Sequence, residues 1–277
     1  MMKLSLPSRL LLQLLLAAGA FVMVTPFLYM LSTALTEYAY TLPYPPKLFP
    51  ESPTFVNFIE AWTSNRFARY ALNSLLVSGS TVAAVVVLCS LTAYGFARFD
   101  FPGKEIIFRF LLFSMMVPSV ATMIPTFLVM RDLRLVDSLH GLVMLYTSGN
   151  IAYYTFMLRG FFESLPAELE EAILVDGGNR WTIYRHVALP LSKPALSTVA
   201  IMSFLGAWDE YWWALSLIKN ETLRTLPIAI RLFQGMHATN YSLVFAASII
   251  AMLPPVLFFV FGQKYFVQGL TSGSVKG

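Results

Sequence analysis

The sequence predicts an all-α, polytopic membrane protein. Of its 277 residues, 57% are hydrophobic and only 12% are charged, about half the charged share of an ordinary soluble domain. Apolar stretches of about 20 residues recur along the chain, each long enough to cross the hydrocarbon of a bilayer as a helix. These runs are continuous rather than alternating, which excludes the period-two pattern of a membrane β-barrel. A soluble globule of this size would lack the polar residues to cover so much apolar surface. The 23 Phe, 13 Tyr and 5 Trp exclude a disordered chain.

Six segments qualify as spans, near residues 10–32, 70–96, 106–130, 141–162, 195–218 and 242–266. Together they read as one transmembrane domain over 1–277 with no internal repeat. Lys3 and Arg9 ahead of an apolar run look like a cleavable leader, but the run continues through Phe21 to Leu31 and is too long for one. The first segment is therefore read as a retained span. Residues 33–69 contain Pro43, Pro45, Pro46, Pro50 and Pro53 and read as an irregular outer loop. Residues 219–241 read as a second, shorter loop. Pro118 and Pro125 in the third span, and Pro254 and Pro255 in the sixth, interrupt helical hydrogen bonding and predict kinks. An even span count puts both termini on one side. Basic residues slightly favour that side, the sign expected if it is the cytoplasm.

Several function classes are excluded by the scarce polar residues. Cys89 stands alone in an apolar run, so no intrachain disulfide or multi-thiolate metal site can form, and it reads as a buried packing residue. The net charge of +4 comes from scattered residues without a basic patch, which argues against a nucleic-acid partner. His140, His186 and His237 lie in separate loops with no ligand spacing, so no metal site is expected. No phosphate-binding G-x-x-x-x-G-K-[ST] loop is present, since Gly103-Lys104 lacks the upstream glycine and the following hydroxyl residue. The chain is therefore not expected to hydrolyse ATP or to be an enzyme.

The stretch 163–194, ESLPAELEEAILVDGGNRWTIYRHVALPLSKP, is the longest polar connection that reads as helical. Pro166 suits a first helical turn. Glu168, Glu170 and Glu171 follow where negative charge favours the helix dipole. Leu169, Ala172, Ile173 and Asp176 fall on one face. Gly177-Gly178 then stops a helix of about ten residues. Asn179 is a good N-cap for a second helical piece, which Pro190 ends. An acidic helix of this kind is repelled by anionic lipid, so the reading is a lever that presents a glycine corner to a partner protein.

Asp209 and Glu210 are predicted to sit inside the fifth span among Trp208, Tyr211, Trp212 and Trp213. Carboxylates at such depth face a cavity or a partner. On one helix they would point about 100° apart, so one of the two is expected to face a pathway. Carboxylates accept hydrogen bonds from sugar hydroxyls, and aromatic faces suit sugar rings. An interfacial aromatic belt is the alternative reading. Asn150, Tyr153 and Tyr154 in the fourth span are weaker pathway candidates.

The 163–194 loop resembles the EAA motif of ATP-binding cassette (ABC) importer permeases: Glu-Ala-Ala, three residues, Gly, nine residues, then Ile-x-Leu-Pro. Here it runs Glu171-Ala172-Ile173, then Gly177, then Val187-Ala188-Leu189-Pro190, with Ile173 and Val187 as apolar substitutes. The resemblance is closest to maltose-transporter-type carbohydrate importers. It extends through AYGFARFDFPGK (93–104), LRGFFESLP (158–166), FLGAWDEY (204–211), where Asp209 stands for a usual Asn, and QKYFVQGLTSGSVKG (263–277), which suggests a complete chain.

That resemblance implies a permease subunit of an ATP-driven importer in a prokaryotic inner membrane, with both termini cytoplasmic and the chain surrounded by lipid. A second permease subunit would complete the pathway. A cytoplasmic ATPase dimer, holding ATP and Mg, would dock the loop helix at Glu170, Glu171, Ala172, Asp176 and Gly177. An extracytoplasmic binding protein would deliver the solute. Asn150, Tyr153, Trp208, Asp209 and Glu210 are the pathway candidates, and no cofactor is expected in this chain. The solute class is a sugar or sugar-like molecule, alternatively a glycerol-phosphate ester or an amino sugar. A stand-alone secondary transporter would need coupling-ion sites and usually repeats, and neither is visible.

Overall fold

A computed structural model describes residues 6–42, 44–64, 66–234 and 239–272. Lys3, Pro43 and His237, all noted from the sequence, lie outside the described residues, as does the end of the stretch 263–277. The described chain is dominated by helices, consistent with apolar segments that must satisfy their backbone internally. It divides into two compact units, one of residues 1–68 with 229–253 and one of residues 69–228 with 254–277.

In the first unit, α1 (Leu6–Ala34) is a 29-residue helix with no buried side chain before Ser32. Below it, polar ties organise the loop. Asn57 sits fully buried on α2 (Val56–Thr63), and its Nδ2 donates to the carbonyls of Ala34 at 2.8 Å and Thr36 at 2.9 Å. Thr54 N–H donates to Leu35 O at 2.8 Å. Tyr241 N–H donates to Ala39 O, and Ala39 N–H to Ser242 Oγ. The outer loop expected to be irregular thus contains a helix, whose buried Asn57 supplies the donor for the carbonyl that ends α1 and for that of Thr36 just beyond it.

The second unit is built around α3 (Phe67–Arg98) and α6 (Leu139–Glu163). Between them, α4 (Lys104–Ser114) and α5 (Ser119–Asp132) meet at 104°. The third span expected as one helix is therefore broken at Met115–Pro118. Pro118 adopts an extended conformation before α5, where its ring prevents the turn from continuing. After α6 come α7 (Glu168–Val175), α8 (Arg180–Ile183), a π-helical turn over Tyr184–Ala188 and α9 (Leu189–Leu191). The chain then bends by 74° into α10 (Lys193–Trp208). Next follow α11 (Trp212–Leu217), a 3-10 turn (Glu221–Leu223), α12 (Leu226–Leu232) and α13 (Tyr241–Ser272). The second loop is thus also partly helical.

Two apolar clusters hold this unit. One joins Val85, Cys89, Ala93 and Tyr94 of α3 to Leu158 and Phe162 of α6, Ile183, Tyr184 and Ala188 of the α8 segment, and Val199 of α10. The other joins Val77, Met130, Leu142 and Tyr146 to Ala214, Leu217 and Ile228. Among the described residues, α1, α3 and residues 241–264 of α13 are long and apolar enough to cross a membrane. The α4–α5 pair and the pair Arg180–Leu191 with α10 raise the number to five if each counts as one broken span. At 25 residues α6 has the length, but Ser148, Asn150, Tyr153 and Tyr154 lower its hydropathy.

Candidate functional site

The loop 163–194 folds into two short helices around a glycine corner. α7 has eight residues rather than about ten, because Pro166 remains outside it and Ala167 occupies the N-cap. Its end follows the expected chemistry. Gly177 has φ +81°, Gly178 N–H donates to Ile173 O at 2.8 Å, and Gly177 N–H donates to Leu174 O at 3.1 Å. This is the double closure that satisfies the last helical carbonyls. The two glycines are needed for different reasons. At Gly177 a Cβ would meet nothing within 4 Å, so the requirement is the left-handed backbone. At Gly178 a Cβ would strike Ile173 Cγ2 and lie 2.9 Å from the Ile173 carbonyl oxygen. Asn179 caps α8 through Oδ1, which accepts from Thr182 N–H at 2.9 Å.

The face of α7 that turns inward is the one that carries Glu170 and Ile173. Glu170 is buried and Ile173 half-buried, whereas Leu169, Glu171, Ala172, Leu174, Val175 and Asp176 are exposed. The Glu170 carboxylate is held from two sides. Arg98 Nε at the end of α3 approaches Oε1 at 2.6 Å, and Arg180 Nη1 donates to Oε2 at 3.1 Å. Arg98 Nη2 also donates to Leu165 O at 2.7 Å, in the turn between α6 and α7. Removing one partner of such a buried set costs about 3–5 kcal/mol, because a charge is left unpaired. Of the five loop residues singled out, Glu170 faces its own chain and the other four are exposed. Neither Arg98 nor Arg180 was singled out.

Below this corner, α8 and the π-helical turn are seated on α3. Tyr184 OH and Ser90 Oγ lie 2.7 Å apart, and the Tyr184 ring packs on Tyr94 at 5.2 Å and Trp181 at 5.3 Å. A second arginine, Arg159 of α6, donates to Glu105 at 3.0 Å and Glu163 at 2.7 Å and lies over the Phe108 ring at 4.0 Å, tying α4 to α6.

At the other end of α10 the expectation of a continuous helix through Asp209 and Glu210 is overturned. The helix stops at Trp208, and α11 restarts at Trp212. Glu210 holds the break together: Oε1 accepts from Trp213 N–H at 2.8 Å, and Oε2 accepts from Ala214 N–H at 3.0 Å and from Tyr146 OH at 2.7 Å. All of its capacity for capping α11 is thus turned inward. Asp209, by contrast, has an exposed side chain. Trp208 is buried against Phe204, with ring centroids 5.5 Å apart. On α6, Asn150 is half-buried and donates to Tyr146 O at 2.7 Å, and Tyr153 is 40% exposed. The break brings Glu210 next to Tyr146, one turn before Asn150 on α6. Among the described residues, no group of three His, Cys, Asp or Glu side chains could hold a metal ion.

The described chain is a helical protein with spans apolar enough for a membrane and a short, exposed helix closed by a glycine corner. The sequence pattern of binding-protein-dependent transport system inner membrane components matches residues 91–272. This chain belongs to that family, whose members are permease subunits rather than catalysts. It is 34% identical over 252 residues to the sulfoquinovosyl glycerol transport system permease protein SmoH of Agrobacterium fabrum, covering 91% of this chain and 88% of that one. It is 32% identical over 231 residues to the melibiose/raffinose/stachyose import permease protein MelC of Bacillus subtilis, covering 83% and 84%. Its fold is similar to a chain of a bacterial ABC transporter that imports the acidic polysaccharide alginate, with a TM-score of 0.82 at 24% identity, covering 96% of this chain and 100% of that one.

Proposed function

We propose that this chain pairs with a second permease subunit to form the pathway of an ATP-driven importer. Its cargo is a sugar or sugar-like solute handed over by an extracytoplasmic binding protein. The observation that carries the reading is the corner at Gly177, which presents the exposed Glu171, Ala172, Val175 and Asp176 on a helix fixed from behind. Family membership and sugar-named relatives support the cargo class.

In this reading six spans cross a prokaryotic inner membrane: α1, α3, α4–α5, α6, α10 and α13. Both termini and α7 are cytoplasmic. ATP and Mg bind in an ATPase dimer that docks on α7. ATP drives the cycle only if one arrangement of the complex binds it better than the other, and α7 is the element that conveys that preference. Asp209, with Tyr153 and Asn150, lines the solute pathway, while Trp208 and Glu210 shape it from within the protein.

Affinity purification of the tagged chain, co-expressed with the transport genes beside it, tests the proposal. An ATPase subunit and a second permease should copurify, and Gly177→Asp should abolish stimulated ATP hydrolysis while the protein still inserts. Absence of an ATPase subunit would overturn the reading.

A further inference from the structure

We infer that Arg98 is a positioning residue for coupling: through the buried Glu170 carboxylate it fastens α7 to α3, so that α3 is the span driven by movement of the lever. This rests on the reading of α7 as the coupling helix.

The backbone alone gives α7 little stiffness. Behind it lies the Ser164–Ala167 turn, and ahead lies the glycine corner, followed by the 74° bend between α9 and α10. Both are joints between helices, where the helical hydrogen-bond ladder is interrupted. The contacts that bypass these joints converge on Glu170. Arg98 reaches it from the last residue of α3, Arg180 from the first residue of α8, and Arg98 also holds the Leu165 carbonyl. One carboxylate, only 8% exposed, thus ties α3, the α6–α7 turn, α7 and α8 into one body. The Arg98 guanidinium pairs with Glu170 on α7 and donates from Nη2 to Leu165 O in the preceding turn, so one side chain reaches two elements. Ile173, packed against the cluster that contains Tyr94 and Phe162, adds an apolar contact on the same side.

A docking role for Glu170 would require its carboxylate to face a partner. It is instead enclosed by this chain, so its contribution to coupling runs through Arg98.

The test uses the complete complex in proteoliposomes with ATP and the liganded binding protein, and reads ATP hydrolysis stimulated by that protein. Arg98→Gln, Glu170→Gln and the double variant should each lower stimulation by about tenfold, with no further loss in the double, because all three break the same link. The ATPase subunit should still copurify with each. Arg98→Lys, which keeps the charge beside Glu170, should restore stimulation to within about threefold of the unmodified complex. If the glutamine variants fail to insert, Arg98→Lys, Glu170→Asp and their double variant are compared instead: each single should stay within about threefold of the unmodified complex and the double should fall no lower than the weaker single, whereas additive losses would overturn the inference. Normal stimulation in Arg98→Gln beside loss in Glu170→Gln would overturn the inference and make Glu170 act alone. Additive losses would overturn it too. Failure of the lever reading itself is seen separately, as normal stimulation in Gly177→Asp.

Discussion

Tyr146 and Glu210, 64 residues apart, share a hydrogen bond of 2.7 Å in which the phenol donates to the carboxylate. The same carboxylate caps the helix that restarts at Trp212. The bond links α6 to the break after α10, which carries Asp209 and Glu210.

Asp209 and Glu210 should therefore behave oppositely when changed. Glu210→Ala removes three hydrogen bonds and leaves two helix-start amides without their partner, which costs about 1–3 kcal/mol. Its melting temperature in detergent should fall clearly. Asp209→Ala, at an exposed carboxylate, should leave melting within about 0.5 kcal/mol of the parent and lower uptake. Equal melting curves for both variants would contradict the assignment.

The two loop glycines should tolerate different replacements. Gly177→Asn is expected to keep stimulated ATP hydrolysis, since asparagine enters the left-handed region readily and, unlike the aspartate of Gly177→Asp, adds no charge at the exposed docking corner, whereas Gly177→Val is expected to lose it. Gly178→Ala should be worse than Gly177→Ala, because its Cβ meets the Ile173 carbonyl. Hydrolysis and thermal unfolding measured across the four variants would check the order.

Asn73 should hold the loop after α11 closed. Its Nδ2 donates to Thr222 O and Arg224 O at 2.9 Å each, and Arg69 Nε adds a bond to Thr222 O at 3.0 Å. In Asn73→Ala two carbonyls lose their shared donor. Trypsin should then cut after Lys219 or Arg224 faster than in the parent, and unchanged cleavage would show that the loop is held by other contacts.

Cys89 is fully buried and packs between α3 and α6. A maleimide should label the folded protein negligibly and the denatured protein completely. Substantial labelling in the folded state would mean that this face of α3 is open.

Local chemistry was legible in the sequence where it acts within a few residues. Gly177 ends α7 and Asn179 starts α8 as glycine and asparagine usually do. Pro118 announces an interruption, but the 104° bend there depends on how α4 and α5 pack. The break at Asp209 has no local breaker at all: the run Trp208 to Trp213 would continue a helix by composition. It is held by Glu210, which caps α11 from within four residues and is fixed in turn by Tyr146, 64 positions away. Glu170 looked like one of three similar acidic residues until Arg98, 72 positions earlier, closed on it. Asn57 and Asn73 were invisible for the same reason, since their carbonyl partners lie in other parts of the chain.

The central claim is that this chain carries a sugar-like solute only as part of an ATP-driven, binding-protein-dependent complex. The most direct measurement is uptake of radiolabelled oligosaccharides, chosen by screening the adjacent binding protein, into proteoliposomes holding the full complex. The account predicts uptake that requires both ATP on the α7 side and liganded binding protein on the opposite side. Uptake driven by an ion gradient without ATP, or by this chain alone, would contradict it.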